Sequence, residues 1–355
     1  MRDFIKDIES NVKGMGSATL GEKTLIVGPT GAGKSSIVEA AQLAMTGGVF
    51  GILLRNKVVK KADQLRQLTP IDTNGLFSRA SLSNGEISQW SLEPGKKAQR
   101  TGPTVAAVTV AQVREAFSGS ADRAMFFLHN SCIMPPTKAE LLERFADDEI
   151  LLGAFSHLLF NKRDDERMGL VELQAMAAKR GREEKKEGEF FTKVADLTGE
   201  ASFQEKGMKH LRHARGWGDV AKKISAQIGH ELHDNKVLST ITATAEACLP
   251  EGERLVVDLL NGRVGLAWDG APIFTLSGSQ EARALVALAA AMAEMANTED
   301  NGLALLIVED RMWDSVQLAS MMRALTNSES QILITSTIKP KGKTPKGWTL
   351  VEVGG

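Results

Sequence analysis

The sequence predicts an α/β fold with antiparallel β hairpins and a short helical insertion, and three observations carry that expectation. A short apolar run at 24–27 leads into the glycine-rich stretch GPTGAGKS and then into a segment of helical spacing, which reads as strand, turn and helix. Alternating segments meet at Asn84-Gly85 and again at Asn261-Gly262; Asn-Gly between alternating runs is the strongest short-range hairpin signal, since both residues accept the positive φ of a tight turn. Near the C-terminus, LALLIV at 303–308 is apolar without alternation, as expected of a strand covered by helices on both faces.

In chain order, the strand at 24–27 is followed by a helix over 36–45. The first hairpin runs from 76 to 92 as LFSRASL, Asn84-Gly85 and EISQWSL. Residues 94–103 are polar and read as a loop, 113–117 and 125–128 are apolar patches, and a helix starts near Pro136 with Thr137 placed to cap it. The middle, 141–249, is charge-rich and helical in composition, with interruptions at 197–202 and 216–218; it contains KRGREEKKEGE at 179–189, an exposed segment. No heptad pattern persists for more than a few turns, so a long coiled coil is excluded and two helices in a short hairpin are expected. The second hairpin spans 254–268, with a further tight turn at Asp269-Gly270. A helix over 279–296, the strand at 303–308, a helix over 315–325 and strands at 331–335 and 348–353 complete the pattern. Met292, Met295, Met321 and Met322 fall at helical spacing and are expected in the core.

A length of 355 residues suggests two domains or one large domain with an insertion. The expected division is an N-terminal lobe at 1–140, a helical arm at 141–249 and a C-terminal lobe at 250–355. Hydrophobic residues at 43% and charged residues at 25% predict a packed core rather than disorder. A net charge of −1 supplies no attractive field for a polyanion, so nucleic-acid contact requires a local basic face. Cys132 and Cys248 give no disulfide framework and suit a reducing compartment. The charged stretch MRDFIKDIES is unlike a signal peptide, and no window approaches the roughly 18 to 20 apolar residues of a membrane helix, so a cytoplasmic protein without a membrane partner is expected.

The stretch at 28–35 matches GxxxxGK[ST] without a gap. Gly28, Gly31 and Gly33 let the backbone turn its N–H groups inward around phosphates, and the helix that follows adds the partial positive charge of its N-terminus. Lys34 is placed to reach the β and γ phosphates, Ser35 to offer its hydroxyl to Mg²⁺, and Thr30 and Ser36 complete the binding set, so ATP and Mg²⁺ are the expected cofactors. Mg²⁺ and water need a carboxylate at the end of a buried strand, which Glu309 and Asp310 supply after the run at 303–308. Adjacent residues of a strand point in opposite directions, so Glu309 would serve the metal, partly through water, while Asp310 polarises the attacking water.

Upstream lies LSGSQ at 276–280, directly before the alanine-rich helix, and it resembles the ABC signature. Together with the phosphate loop, the acidic strand and the hairpins it makes the sequence similar to the SMC-like and RecF-like chromosome and repair ATPases, over roughly 1–145 and 250–355. The resemblance implies a P-loop ABC-type ATPase head in which the signature of one copy closes over ATP held by another, with Ser277, Gly278 and Gln280 acting in trans across a homodimer. Val12 to Gly14 with the loop strand looks like the family's opening strands, and SSIVEAAQLAMTG its first helix. The segment FFLHNSCIMPPTKAELLERF resembles its glutamine-loop region, with Asn130 near the glutamine position as a metal ligand; Asp314 would stand for the D-loop aspartate and 335–337 for the switch-histidine segment.

The sequence departs from the family at three points. The usual acidic order is Asp then Glu, whereas here Glu309 precedes Asp310, and a side chain one methylene shorter at the water-polarising position implies slow hydrolysis. No histidine lies between Gln331 and Thr337, leaving any switch role to Ser336 or Thr337. The arm is too short for an SMC coiled coil, which puts the chain nearer the RecF-like architecture.

The implied function is an ATPase that dimerises on ATP and acts on DNA in recombination, repair or chromosome maintenance, with a nuclease or mediator as further partner. The alternative is a nucleotide-dependent binding module with negligible turnover, for example in a defence or viral complex; a transport ATPase fits the internal hairpins and charged arm poorly. RNKVVKKADQLR at 55–66 reads either as a solvated helix face or as a surface for the DNA backbone. Lys339, Lys341, Lys343 and Lys346 suit a soluble loop. His210, Arg212, His213 and Arg215 near Trp217 lack metal-ligand spacing with cysteine, so no zinc is expected there.

Overall fold

The structure, a computed structural model, describes residues 3–51, 57–59, 65, 68–70, 75–103, 105–132, 135–268, 270–296, 303–309 and 313–354. The chain forms two compact units, Met1–Ala124 with Leu238–Gly355, and Met125–Val237. The first begins with β1 (Ile5–Ser10), β2 (Gly16–Thr19), β3 (Lys23–Val27), α1 (Lys34–Thr46), β4 (Val49–Gly51), β5 (Lys57–Val59), β6 (Leu76–Leu82), β7 (Ile87–Leu92), β8 (Gln99–Thr101), β9 (Ala106–Thr109) and α2 (Val110–Phe117). Helix α3 (Ala121–Cys132) leads into α4 (Lys138–Arg144), α5 (Glu149–Leu158), α6 (Leu170–Thr198) and α7 (Ala201–Asp234), after which α8 (Val237–Glu246) returns the chain to the first unit. There it completes β10 (Arg254–Asp258), β11 (Arg263–Trp268), β12 (Ala271–Ile273), α9 (Gly278–Ala296), β13 (Ala304–Val308), α10 (Ser315–Ala324), β14 (Gln331–Ser336) and β15 (Trp348–Glu352).

A parallel sheet in the order β15-β3-β14-β13-β9 and an antiparallel sheet in the order β2-β1-β6-β7-β8 form the first unit, with β10-β11-β12 as a smaller sheet. Strands β3, β13 and β14 are buried at every residue, as apolar runs without alternation predict. Strand β6 alternates instead: Leu76, Ser78, Ala80 and Leu82 point inward while Phe77 and Arg79 face out. The turn after it carries Gly85 at φ 89°, the left-handed conformation that made Asn84-Gly85 informative. Helix α1 is buried from Ser36 to Met45 because it contacts β1, β6 and β7 on one side and β9 and β14 on the other. The hydroxyls of Ser78 and Ser88 donate to the α1 carbonyls of Ala40 and Ala44, both at 2.7 Å, which satisfies polar atoms inside that contact.

The stretch 94–103, expected as loop, contains a strand, since β8 pairs with β7 through Gln89↔Thr101 to Ser91↔Gln99. A distant partner holds it: the Arg100 guanidinium donates through Nε to Ala44 O at 3.0 Å, capping the end of α1, and through Nη2 to Ser88 Oγ at 3.0 Å.

In the second unit the expected break at 197–202 is present, with α6 ending at Thr198 and Gly199 taking the left-handed C-cap at φ 69°. The expected break at 216–218 is not: α7 runs through Gly216 and Gly218 to Asp234. Each interior glycine disfavours the helix by about 1 kcal/mol, but the contact of α7 with α6 outweighs that local preference. The two helices approach closely where glycines face each other. A Cβ on Gly207 would lie 2.8 Å from Thr192 Oγ1 and 3.1 Å from Gly188 O, whereas Gly218 has nothing within 4 Å. Gly207→Val is therefore expected to destabilise the arm by about 2 kcal/mol through overpacking, and Gly218→Ala to stabilise it by about 0.5–1 kcal/mol, both read from urea unfolding by far-UV circular dichroism.

Helix α4 starts in a capping box, in which Thr137 Oγ1 accepts from Glu140 N at 3.2 Å and Glu140 Oε2 from Thr137 N at 2.7 Å. The buried Glu231 carboxylate of α7 joins His129 of α3, at 2.6 Å from Nε2, to Arg144 of α4. Burial works to raise this carboxyl, but the His129 hydrogen bond and the Arg144 charge outweigh it and hold it below the ordinary glutamate range. A carboxyl lowered in the folded state contributes stability above its ordinary range and loses it as pH falls through the lowered value. Glu231→Gln is thus expected to cost about 3 kcal/mol at neutral pH, with the deficit shrinking below the ordinary carboxylate range, as measured by unfolding across pH.

Candidate nucleotide site

Strand β3 carries the glycine loop at its C-terminal end, and each loop glycine has a distinct reason to be there. A Cβ on Gly28 would sit 2.3 Å from Val353 O and 2.8 Å from Val353 Cγ2, so the chain after β15 closes against the loop only because Gly28 lacks one. Gly31 and Gly33 take φ 84° and 92°, with nothing within 4 Å of either added Cβ. The backbone is therefore left-handed and open on the side a phosphate would approach. Gly33 is the N-cap of α1 and supplies no side-chain cap, which leaves the helix N-terminus to an anion.

Lys34 is buried, and its Nζ donates to Gly28 O at 2.7 Å and Pro29 O at 3.0 Å, holding the ammonium across the loop. Pro29, Thr30, Gly31, Gly33 and Ser35 are exposed, whereas Ser36 is buried with its N–H donating to Gly33 O at 3.0 Å. The sequence-predicted loop residues thus come together in a cradle that fits a triphosphate.

The acid lies two strands away on the same sheet edge. Parallel pairing sets Val308 level with Ile334, and Ile334 level with Leu25. Ser336 is level with Val27, the last residue before the loop, and Gly28 N donates to Ser336 O at 3.2 Å. Strands are spaced about 4.8 Å apart, so Glu309, which follows Val308, stands about 10 Å across from β3, with β14 between them at Thr335, the residue level with Ile26. That gap is wide enough for a hydrated divalent cation, which Ser35 and Glu309 would be the residues to hold. Asp310 lies outside the described residues.

Ser277 and Gly278 are exposed at the start of α9. The Ser277 N–H donates to Gln280 Oε1 at 2.9 Å and its carbonyl accepts from Glu281 N at 2.8 Å, so Gln280 braces the turn that presents Ser277. Asp314 caps α10, its Oδ1 accepting from Val316 N and Gln317 N, both at 2.8 Å. Asn130 is exposed on α3 in the unit Met125–Val237, on a helix rather than in a loop. Most of the basic stretch 55–66 lies outside the described residues. Lys339 pairs with Glu352 at 2.8 Å, consistent with a surface role.

Sequence reasoning missed two features here. Lys13, at φ 48° in the turn after β1, places Nζ 2.8 Å from Glu39 Oε1 on α1, and burial raises the Glu39 carboxyl despite that partner. The chain after β15 supports the loop from below, with a Cβ on Gly354 falling 2.6 Å from Ala32 Cβ; the glycine pair ending VEVGG was its only signal.

No family model matches the chain, and no curated protein sequence matches it. Solved structures do. The fold is similar to that of SMC and RecF heads. One is the Smc head domain of Pyrococcus furiosus with an extended coiled coil, bound to the C-terminal domain of ScpA (13% identity, 94% of this chain and 89% of that one, TM-score 0.46). Another is the recombination mediator RecF with ATP, of the RecFOR pathway (14% identity, 97% and 95%, TM-score 0.48).

Proposed function

We propose that this chain is an ATP-binding head of the SMC-like and RecF-like kind that hydrolyses ATP, pairs head to head with a second copy, and acts on DNA in recombination, repair or chromosome maintenance. The observation that carries the reading is the shared sheet edge: a left-handed glycine loop after β3 and Glu309 after β13, separated by one strand that ends in Ser336. In this reading Lys34 neutralises charge on the β and γ phosphates, Ser35 and Glu309 hold Mg²⁺, and Asp310 polarises the attacking water. The exposed turn at Ser277 and Gly278 completes the site of the partner copy.

The role on DNA rests on the motif resemblance and on the basic stretch at 55–66, and it predicts affinity that is sequence-independent and falls steeply with salt. A nuclease or mediator completes the assembly. Among the described residues no helix is long and apolar enough to cross a membrane.

The order Glu309-Asp310 favours a second reading, in which ATP closes the dimer while turnover stays negligible, as in a defence or viral complex. Phosphate release with and without duplex DNA separates the two. Asp310→Asn is expected to lower turnover by about 100-fold or more, on the scale of losing one transition-state contact, with ATP affinity retained. Unchanged hydrolysis in Asp310→Asn, alongside lost nucleotide binding in Lys34→Ala, would reject the enzymatic assignment.

A further inference from the structure

The arm helices bring together four side chains that their sequence positions keep apart. Glu184 and Glu187 share one face of α6, and His210 and His213 share one face of α7, each pair one turn apart. His210 Nδ1 stands 2.7 Å from Glu184 Oε2 and 3.3 Å from Glu187 Oε2, and His213 Nδ1 stands 3.8 Å from Glu184 Oε2. One ligand atom from each of Glu184, Glu187 and His210 falls within a cluster no wider than 4.8 Å.

Helix packing creates this convergence. On one side of the cluster Gly188 meets Gly207 and Leu211, where an added Cβ would come within 2.8 Å of Leu211 Cγ. On the other, Gly181 lies against Ala214 and Trp217, with 3.4 Å from an added Cβ to each. Small residues on both flanks let the helices approach until carboxylates and imidazoles are within ligand distance. The His210 ring is also fixed in orientation, stacked on Phe191 at 5.5 Å and 14°.

We propose that Glu184, Glu187 and His210 form a divalent-metal site, with His213 beside Glu184 at its margin, that clips α6 to α7 and takes a first-row transition ion of the zinc class. Two carboxylate oxygens and imidazole nitrogens are a borderline donor set, suited to such ions rather than to Mg²⁺ or Ca²⁺. Ligand atoms about 2.0–2.2 Å from a tetrahedral ion lie about 3.3–3.6 Å from one another; the 3.3 Å between His210 Nδ1 and Glu187 Oε2 meets that spacing, and the 2.7 Å between His210 Nδ1 and Glu184 Oε2 opens slightly to admit the ion. A cation between Glu184 and Glu187 also offsets their mutual repulsion on adjacent turns of one helix. The lack of a cysteine at metal-ligand spacing from these histidines, which argued against zinc, removes thiolate ligands only; it leaves a histidine-carboxylate site open.

The test is titration of the full chain, stripped with chelator and free of nucleotide, with zinc chloride, by calorimetry and by competition with a chromophoric chelator. One equivalent should bind and raise the unfolding temperature, and excess Mg²⁺ should not displace it. His210→Ala and Glu184→Gln should each weaken binding at least about tenfold, the smaller loss seen when even a supporting partner of a zinc ligand is removed. Far-UV circular dichroism keeps the result readable: Glu187→Gln, at an exposed position, should retain the helical signal while losing affinity. Absence of zinc binding by the wild-type chain, or wild-type affinity in helical His210→Ala and Glu187→Gln proteins, would overturn the site and leave Glu184 and His210 as a hydrogen-bonded pair.

Discussion

Replacing Lys34 with alanine is expected to lower ATP turnover by about 100- to 1000-fold, the loss that follows removal of one preorganised charge-stabilising donor. The ammonium is held by Gly28 O and Pro29 O, so it already lies across the glycine loop before any ligand arrives. Nucleotide affinity should fall as well, by about 10- to 100-fold, because hydrogen bonds to charged groups contribute about 1.5–3 kcal/mol each. The fold should survive, since the two carbonyls released lie in a loop with exposed residues where water can replace the lysine. Lys34→Arg should rescue little, because a planar guanidinium cannot occupy the place of a compact ammonium between two carbonyls. Phosphate release with a fluorescent-nucleotide titration separates the effects on chemistry and on binding. A Lys34→Ala protein with wild-type turnover would remove the loop from the mechanism.

A second substitution, Ser277→Arg, is expected to abolish ATP-dependent dimerisation and reduce turnover to the level of an isolated head, while leaving ATP binding by the monomer intact. Ser277 and Gly278 are exposed, and the turn is held by the Ser277 backbone and the Gln280 side chain, so a bulky side chain at this position leaves the local fold standing. What it blocks is close approach of a partner's phosphates to the start of α9, where the helix N-terminus would meet them. Gel filtration with a non-hydrolysable analogue reads the result. A shift to dimer in both proteins, or in neither, would contradict the trans arrangement.

Features fixed by neighbours in sequence were legible in advance. Thr137 caps α4, Gly199 closes α6, Asn84-Gly85 turns a hairpin and the uniform apolar runs become buried strands, because each depends on a residue's own conformational preference or on local periodicity. What stayed hidden depends on contacts between distant residues. Strand β8 exists because Arg100 reaches the end of α1, and α7 continues through Gly216 and Gly218 because α6 packs along it. The support of the phosphate loop by Val353 and Gly354 is of the same kind, as is the register that sets Glu184 against His210. Within the candidate site the loop was fully readable from its motif. The roles of Gln280 as a brace and Asp314 as a helix cap emerge only from their hydrogen bonds.

Calorimetric titration of the full chain with ATP in the presence of magnesium addresses the assignment at its root. One ATP per chain should bind, with the affinity about 10- to 100-fold weaker in Lys34→Ala. No measurable affinity in the wild-type protein, or equal affinity in Lys34→Ala, would contradict the glycine loop after β3 as the nucleotide site.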